Sequence, residues 1–128
     1  MKKISLASVL LALSVFASSA YADIPLESKD QIQGTWKLQH TKINAAAKES
    51  IPREDTWVIK DGKITILNIP REGEHYDQAP LNFELENGKL KLPYLGRSGF
   101  DMFTLVEKTD STMTLKGKFG EHYFFTKK

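Results

Sequence analysis

The side chains of this 128-residue chain that could most readily do chemistry sit in one tetrapeptide that occurs twice, Gly-Glu-His-Tyr at residues 73–76 and again at 120–123. The two copies hold His75 and His122, two of the three histidines, each beside a carboxylate. An imidazole next to a carboxylate can ligate a metal or move a proton, so the first question is whether the copies are halves of one site. Around the first copy stand Arg71, Glu72, Glu74, His75, Tyr76 and Asp77, in a stretch that Pro70, Gly73 and Pro80 mark as an exposed loop from Ile69 to Pro80. Zinc needs three or four ligands, so His75 with Asp77 or Glu74 is too few, and no metal is expected. Tyrosine and arginine are good anchors for a protein partner, which makes Arg71, Glu74, His75, Tyr76 and Asp77 candidate partner-binding residues. In the second copy Glu121 and His122 fall within a strand and point to opposite faces, so they cannot chelate together. His75 is therefore read as a surface contact and His122 as a separate, inward-facing contact for a ligand.

Nothing else in the chain supplies catalytic machinery. It contains no Gly-x-Ser-x-Gly, no His-Glu-x-x-His, no phosphate-cradling glycine loop and no cysteine. Carboxylates such as Glu74 and Glu121 can be paired on paper, but no spacing singles them out. The expectation is a protein that is not an enzyme, with no catalytic residues and no cofactor.

Residues 1–22, MKKISLASVLLALSVFASSAYA, have a basic start, an apolar run from about Ile4 to Phe16 and an Ala-x-Ala end. That is the pattern of a secretory signal cleaved after Ala22, and it implies a periplasmic or secreted protein without stable membrane insertion. Loss of Lys2 and Lys3 from the 18 basic residues makes them equal to the 16 acidic ones, so the mature part is formally neutral. With charges alternating in sign along the chain, no basic stripe invites nucleic acid. The absence of cysteine leaves residues 23–128 to fold as a single domain around one packed core.

The elements that must position these residues read as strands. In LNFELENGKLKLPY, Asn87-Gly88 signals a type I′ hairpin that pairs Glu86 with Lys89, Leu85 with Leu90, Glu84 with Lys91 and Phe83 with Leu92. In DTWVIKDGKITILN, Asp61-Gly62 pairs Ile59 with Ile64 and Trp57 with Ile66. A looser hairpin turns near Thr109–Ser111, and the last strand returns through Phe119-Gly120, which aligns His122, Phe124 and Thr126 with Met113, Leu115 and Gly117. An amphipathic first strand places Trp36, Leu38 and His40 on one face. The alanines at 45–47 predict one short helix ending at Pro52. About eight strands suit a small antiparallel up-and-down β-barrel, with a split barrel or β-sandwich as the alternative.

Gly34-Thr35-Trp36 on the first strand, followed by this meander, resembles the G-x-W signature of the lipocalin and wider calycin families, and especially small bacterial lipocalin-like domains. The resemblance implies that Trp36 closes one end of the barrel beneath a basic residue of the last strand, Lys127 or Lys128. It also implies a small apolar or amphipathic ligand, for which Trp57, Phe83, Tyr94, Phe103 and His122 are the candidate contacts. The rival expectation is a periplasmic inhibitor or immunity protein that blocks a cell-wall hydrolase or a toxin through its loops.

Overall fold

The computed structural model describes residues 23–128, and the expected signal peptide lies outside the described residues. The chain is all-β. A 3₁₀ turn at Lys29–Ile32 leads into β1 (Gly34–Lys42), followed by β2 (Ile51–Pro52), β3 (Thr56–Lys60), β4 (Lys63–Arg71) and β5 (Glu74–Asn82). Then come β6 (Glu84–Glu86), β7 (Lys89–Pro93), β8 (Phe100–Lys108), β9 (Thr112–Gly117) and β10 (His122–Lys127). They form one antiparallel sheet in the order β5-β4-β3-β1-β10-β9-β8-β7-β6, with β2 added to β1. β5 runs through Phe83 straight into β6, so the two ends of the sheet are one stretch of chain, paired first with β4 and then with β7. The sheet thereby curls into a barrel-like ring of eight staves rather than two stacked layers.

Turn chemistry fixes the hairpins. Asp61-Gly62 and Asn87-Gly88 both have positive φ, at 52° and 75° and at 53° and 76°, the backbone a type I′ turn requires. The expected partners are found, Trp57 with Ile66, Ile59 with Ile64 and Leu85 with Leu90. Phe83 does not pair with Leu92; its N–H bonds instead to the carbonyl of Gly62.

Four further expectations are corrected. Residues 43–50 form bends, not a helix: Asn44 captures the N–H of Ala46 with its side chain and that of Ala47 with its carbonyl, and one such turn cannot nucleate a helix. The stretch from Ile69 to Pro80 is not a loop but most of the β4–β5 hairpin, turning at Glu72-Gly73 (φ 51° and 82°). Pro80 is accommodated by a bulge opposite Ile64–Ile66, and Pro70 lies beyond the end of β3, where no neighbour needs its missing N–H. Between β9 and β10 the loop is one residue longer than expected, with Gly117 bonded to Glu121, so Met113 pairs with Phe125 and Leu115 with Tyr123. Phe125 and Tyr123 face inward, whereas His122, Phe124 and Thr126 face out. Finally, a bulge at Gln39 turns His40 outward, where its ring stacks on Phe124 at 4.6 Å.

The ring has one closed end and one open end. At the closed end the indole N–H of Trp36 donates to the carbonyl of Ile32 at 2.9 Å. Lys127 and Lys108 hold their ammonium groups 5.0 and 5.1 Å from the same ring. Leu26 and Ile32 are buried beneath the staves, because Ile24 bridges to Leu105 and the N–H of Leu26 bonds to Gly88. The polar-looking start of the described residues is thus a strap and plug. Leu26→Ala is expected to lower stability by about 2–5 kcal/mol, read as a lower urea midpoint. An unchanged midpoint would place the strap outside the cooperative core.

Candidate functional site

Toward the open end the core gives way to a cavity of about 280 Å³. This lies just below the usual range of about 300–1,000 Å³ for ligand pockets. Its floor is apolar: Leu38 from β1, Trp57 from β3, Ile66 from β4, Leu81 from β5, Leu92 from β7 and Phe103 from β8. Three aromatic rings brace one another there, with Trp57 edge-on to Phe103 at 5.7 Å, Phe103 edge-on to Tyr123 at 5.4 Å and Trp57 tilted against Tyr123 at 6.5 Å. These side chains meet because period-two alternation on neighbouring staves places them all on the concave face.

The rim is polar. Arg53 grips Asp55 with two parallel bonds, Nε to Oδ1 at 2.9 Å and Nη2 to Oδ2 at 2.8 Å. The backbone places this pair over the cavity, since Arg53 N–H bonds to Gln39 and Asp55 C=O receives the N–H of Leu38 at the β1 bulge. The pair neutralises itself, as a nearly buried carboxylate requires. Across the mouth, Tyr94 donates to Asp101 at 3.4 Å and accepts from Lys118 Nζ at 3.0 Å. That bond holds the Lys118 ammonium above its ordinary range. Gly99 is glycine for this reason among others: a Cβ there would lie 2.8 Å from the Tyr94 ring, at φ 107°.

Tyr123 donates to Glu121 at 3.3 Å, and the Glu121 carboxylate lies over Gly117, where an added Cβ would meet it at 2.5 Å. Burial pushes the Tyr123 hydroxyl up to about 12, Glu121 and Asp101 push it the same way, and Arg53 opposes them. The hydroxyl is therefore a lasting hydrogen-bond donor at the mouth.

Of the ligand contacts expected from the sequence, Trp57, Tyr94 and Phe103 line the cavity. Phe83 does not: it is fully buried in the core below, under the ammonium of Lys29 at 5.2 Å. Nor does His122, which lies on the convex face, is itself buried and bonds through Nδ1 to the carbonyl of Gly120. Tyr123, Arg53, Asp55, Asp101 and Gln78 were not legible as site residues. For Tyr123 the signal was the Gly120 turn, which favours a three-residue loop.

The five candidates of the β4–β5 hairpin divide between its faces. Arg71, Glu74 and Tyr76 share the side of the cavity-lining Ile69 and Gln78. His75 and Asp77 lie on the other, where His75 Nε2 meets Glu54 at 3.3 Å and Asp77 accepts the N–H of Asn68. The two Gly-Glu-His-Tyr copies are the same local device. Each glycine completes a turn at positive φ (82° and 91°), each histidine faces out, and each tyrosine hydroxyl reaches back to the glutamate two residues earlier, at 3.4 and 3.3 Å. Among the described residues no group of three or more His, Cys, Asp or Glu side chains is arranged to hold a metal ion.

No protein-family model matches the chain, and no curated protein is significantly similar to it. A solved structure that resembles it is an uncharacterized protein from Bacteroides eggerthii DSM 20697, with a TM-score of 0.59 at 14% identity over 75% of this chain and 98% of that one. At that identity the likeness concerns the fold alone.

Two outcomes test the site. An unfolded tyrosine ionises near 10.0 and Tyr123 at about 12, so the unfolded chain releases this proton first. Stability then falls as pH rises through that window, and Tyr123→Phe should show a smaller alkaline loss in urea titrations across it. Gly117→Ala should destabilise by about 1–3 kcal/mol. Most of that loss should vanish in the Glu121→Ala background, and additive losses would sink the packing argument.

Proposed function

We propose that the chain is a lipocalin-like binding protein of the periplasm or the secreted fraction, without catalytic activity, that holds a small apolar or amphipathic molecule. One observation carries this reading: a cavity of about 280 Å³ with an apolar, aromatic floor and a hydrogen-bonding rim, opening at one end of the barrel. The ligand would enter with its apolar part against Trp57 and Phe103. Its polar end would stop among Arg53, Gln78, Tyr94 and Tyr123. A cavity this size suits a single ring or a short chain, not a diacyl lipid. The kinship is supported by Gly34-Thr35-Trp36, with Trp36 sealing the opposite end beneath Lys127.

A second reading rests on the β4–β5 hairpin, whose tip passes beyond the last β3 pair at Leu67 and carries Arg71 and Tyr76 into solvent. Such a projection could enter the active site of a hydrolase or block a toxin.

Native mass spectrometry of the protein purified from its host, followed by calorimetric titration with short alkyl and aryl alcohols, separates the two. Binding that weakens by roughly tenfold or more in Trp57→Ala and Phe103→Ala, but not in the folded fraction of Phe83→Ala, is the expected result. No bound small molecule and no response to any alcohol, with a stoichiometric protein partner released by Tyr76→Ala, would replace the cavity reading with the inhibitor one.

A further inference from the structure

The apolar floor of the cavity limits the shape of a guest, and the charges around the mouth limit its polarity. Three ionised side chains line the cavity, Arg53, Asp55 and Asp101. Arg53 and Asp55 neutralise each other through their two parallel bonds. Asp101 accepts from the Tyr94 hydroxyl, which accepts in turn from the Lys118 ammonium, so a cation answers this carboxylate through one hydroxyl. Arg71 and Glu74 face each other across the β4–β5 ladder on the cavity side. Arg97 lies 4.2 Å from the Tyr94 ring, and Glu121 accepts from Tyr123. Four cations thus stand against four carboxylates around the mouth.

A guest with a charged end would leave water here without finding an unpaired opposite charge to replace its hydration, and that loss is costly. Arg53 has N–H groups to spare, but a carboxylate that took them would lie beside Asp55 and face Asp101. An ammonium at Asp101 would meet Lys118 behind the shared hydroxyl. One lining side chain is different. Gln78, partly buried and opposite the cavity-lining Ile66, makes no side-chain hydrogen bond to any of the described residues. Its primary amide offers two N–H donors and a carbonyl acceptor without net charge. It lies on β5 beside the loose seam, where only β4 is hydrogen-bonded to the strand.

We propose that the molecule held in the cavity is uncharged and ends in a group that both donates and accepts a hydrogen bond, a carboxamide in the simplest case, with Gln78 as the specificity-determining contact. This ligand class rests on the cavity being a binding site, as argued above. The carbonyl of such a head accepts from the Gln78 amide or a spare Arg53 N–H, and its own N–H donates to the Gln78 carbonyl. The apolar part lies on Trp57 and Phe103. A neutral head leaves the Arg53–Asp55 pair and the Asp101–Tyr94–Lys118 chain intact, whereas an ion of either sign would have to pull one of them apart.

Calorimetric titration at neutral pH with phenylacetamide, phenylacetate and phenethylamine tests it, since the three share a benzyl body and differ in the charge of the head. The amide is expected to bind roughly tenfold or more tighter than either ion. Gln78→Leu should weaken the amide by roughly fivefold and leave the two ions unchanged. Gln78→Glu should weaken the amide and strengthen the amine, a reversal that a merely structural role for Gln78 would not produce. Residue 78 is partly exposed, and thermal unfolding curves will show that both variants are folded. An ion that binds the unaltered protein as tightly as the amide, or an amide affinity untouched by Gln78→Leu, would overturn the ligand class and leave the cavity reading standing. So would alcohols that bind where the amide does not. No response to the amide, the ions or the alcohols would remove both.

Discussion

The pairing of β1 with β10 is the interaction on which the rest of the molecule depends. It joins residues at opposite ends of the domain, setting Trp36 across from Lys127 and binding Gln39 to Thr126 over 87 positions of sequence. Two strands that would otherwise be free edges satisfy each other, and an open sheet edge is a template for aggregation. The pairing also aligns the concave faces of the two halves of the sheet, so that Leu38 and Phe125 meet and one core is continuous around the ring. The opposite seam is closed differently: the chain itself crosses it at Phe83, and above that point β5 and β7 are not hydrogen-bonded to each other. Leu81 and Gln78 on one side and Leu92, Pro93 and Tyr94 on the other are therefore free to line a cavity there. One tight seam and one loose seam give the barrel its opening.

The two ends are packed differently. At the closed end the buried polar groups have fixed partners. The indole of Trp36 bonds to Ile32 and sits between two ammonium groups, and the strap of residues 24–26 is tied to Leu105 and Gly88. Packing of this kind has no room for a guest. At the open end the ion pair of Arg53 with Asp55 and the bonds from Tyr94 and Tyr123 keep polar side chains out of the apolar floor without filling it.

How far the sequence could be read follows from the physics of turns. Asp61-Gly62 and Asn87-Gly88 admit one backbone solution and two residues, so register and inward face followed directly from them, and of the pairs they imply only Phe83 with Leu92 fails, because the chain crosses to its other neighbour at Phe83. The β9–β10 connection admits two solutions, and reading its three-residue loop as a two-residue one exchanged the faces of the whole last strand. That single slip put His122 and Phe124 inside and left out Tyr123 and Phe125. The bulge at Gln39 did the same to His40, and bulges leave little trace in residue type. Glu72-Gly73 is a weaker turn signal than Asn-Gly or Asp-Gly, and two prolines nearby concealed the strands it joins. Leu26 and Ile32 gave no periodic pattern, because a strap crossing the end of a barrel has none.

The repeated tetrapeptide shows why a motif that looks chemical can be mechanical. A hairpin that ends on a left-handed glycine begins its return strand at once, and the next residue on the concave side is two positions further on. Glutamate and tyrosine in those two places can bond to each other across one repeat of the pleat, which stiffens the start of the strand. The histidine between them is left on the convex face, with Glu54 in one copy and the turn carbonyl of Gly120 in the other. What the second copy contributes to the cavity is consequently the Tyr123 hydroxyl and not the imidazole. The carboxylate beneath it fits only because residue 117 has no side chain. The chemistry of the mouth is thus set by the pleat of β10, with tyrosine as the polar group a ligand would meet.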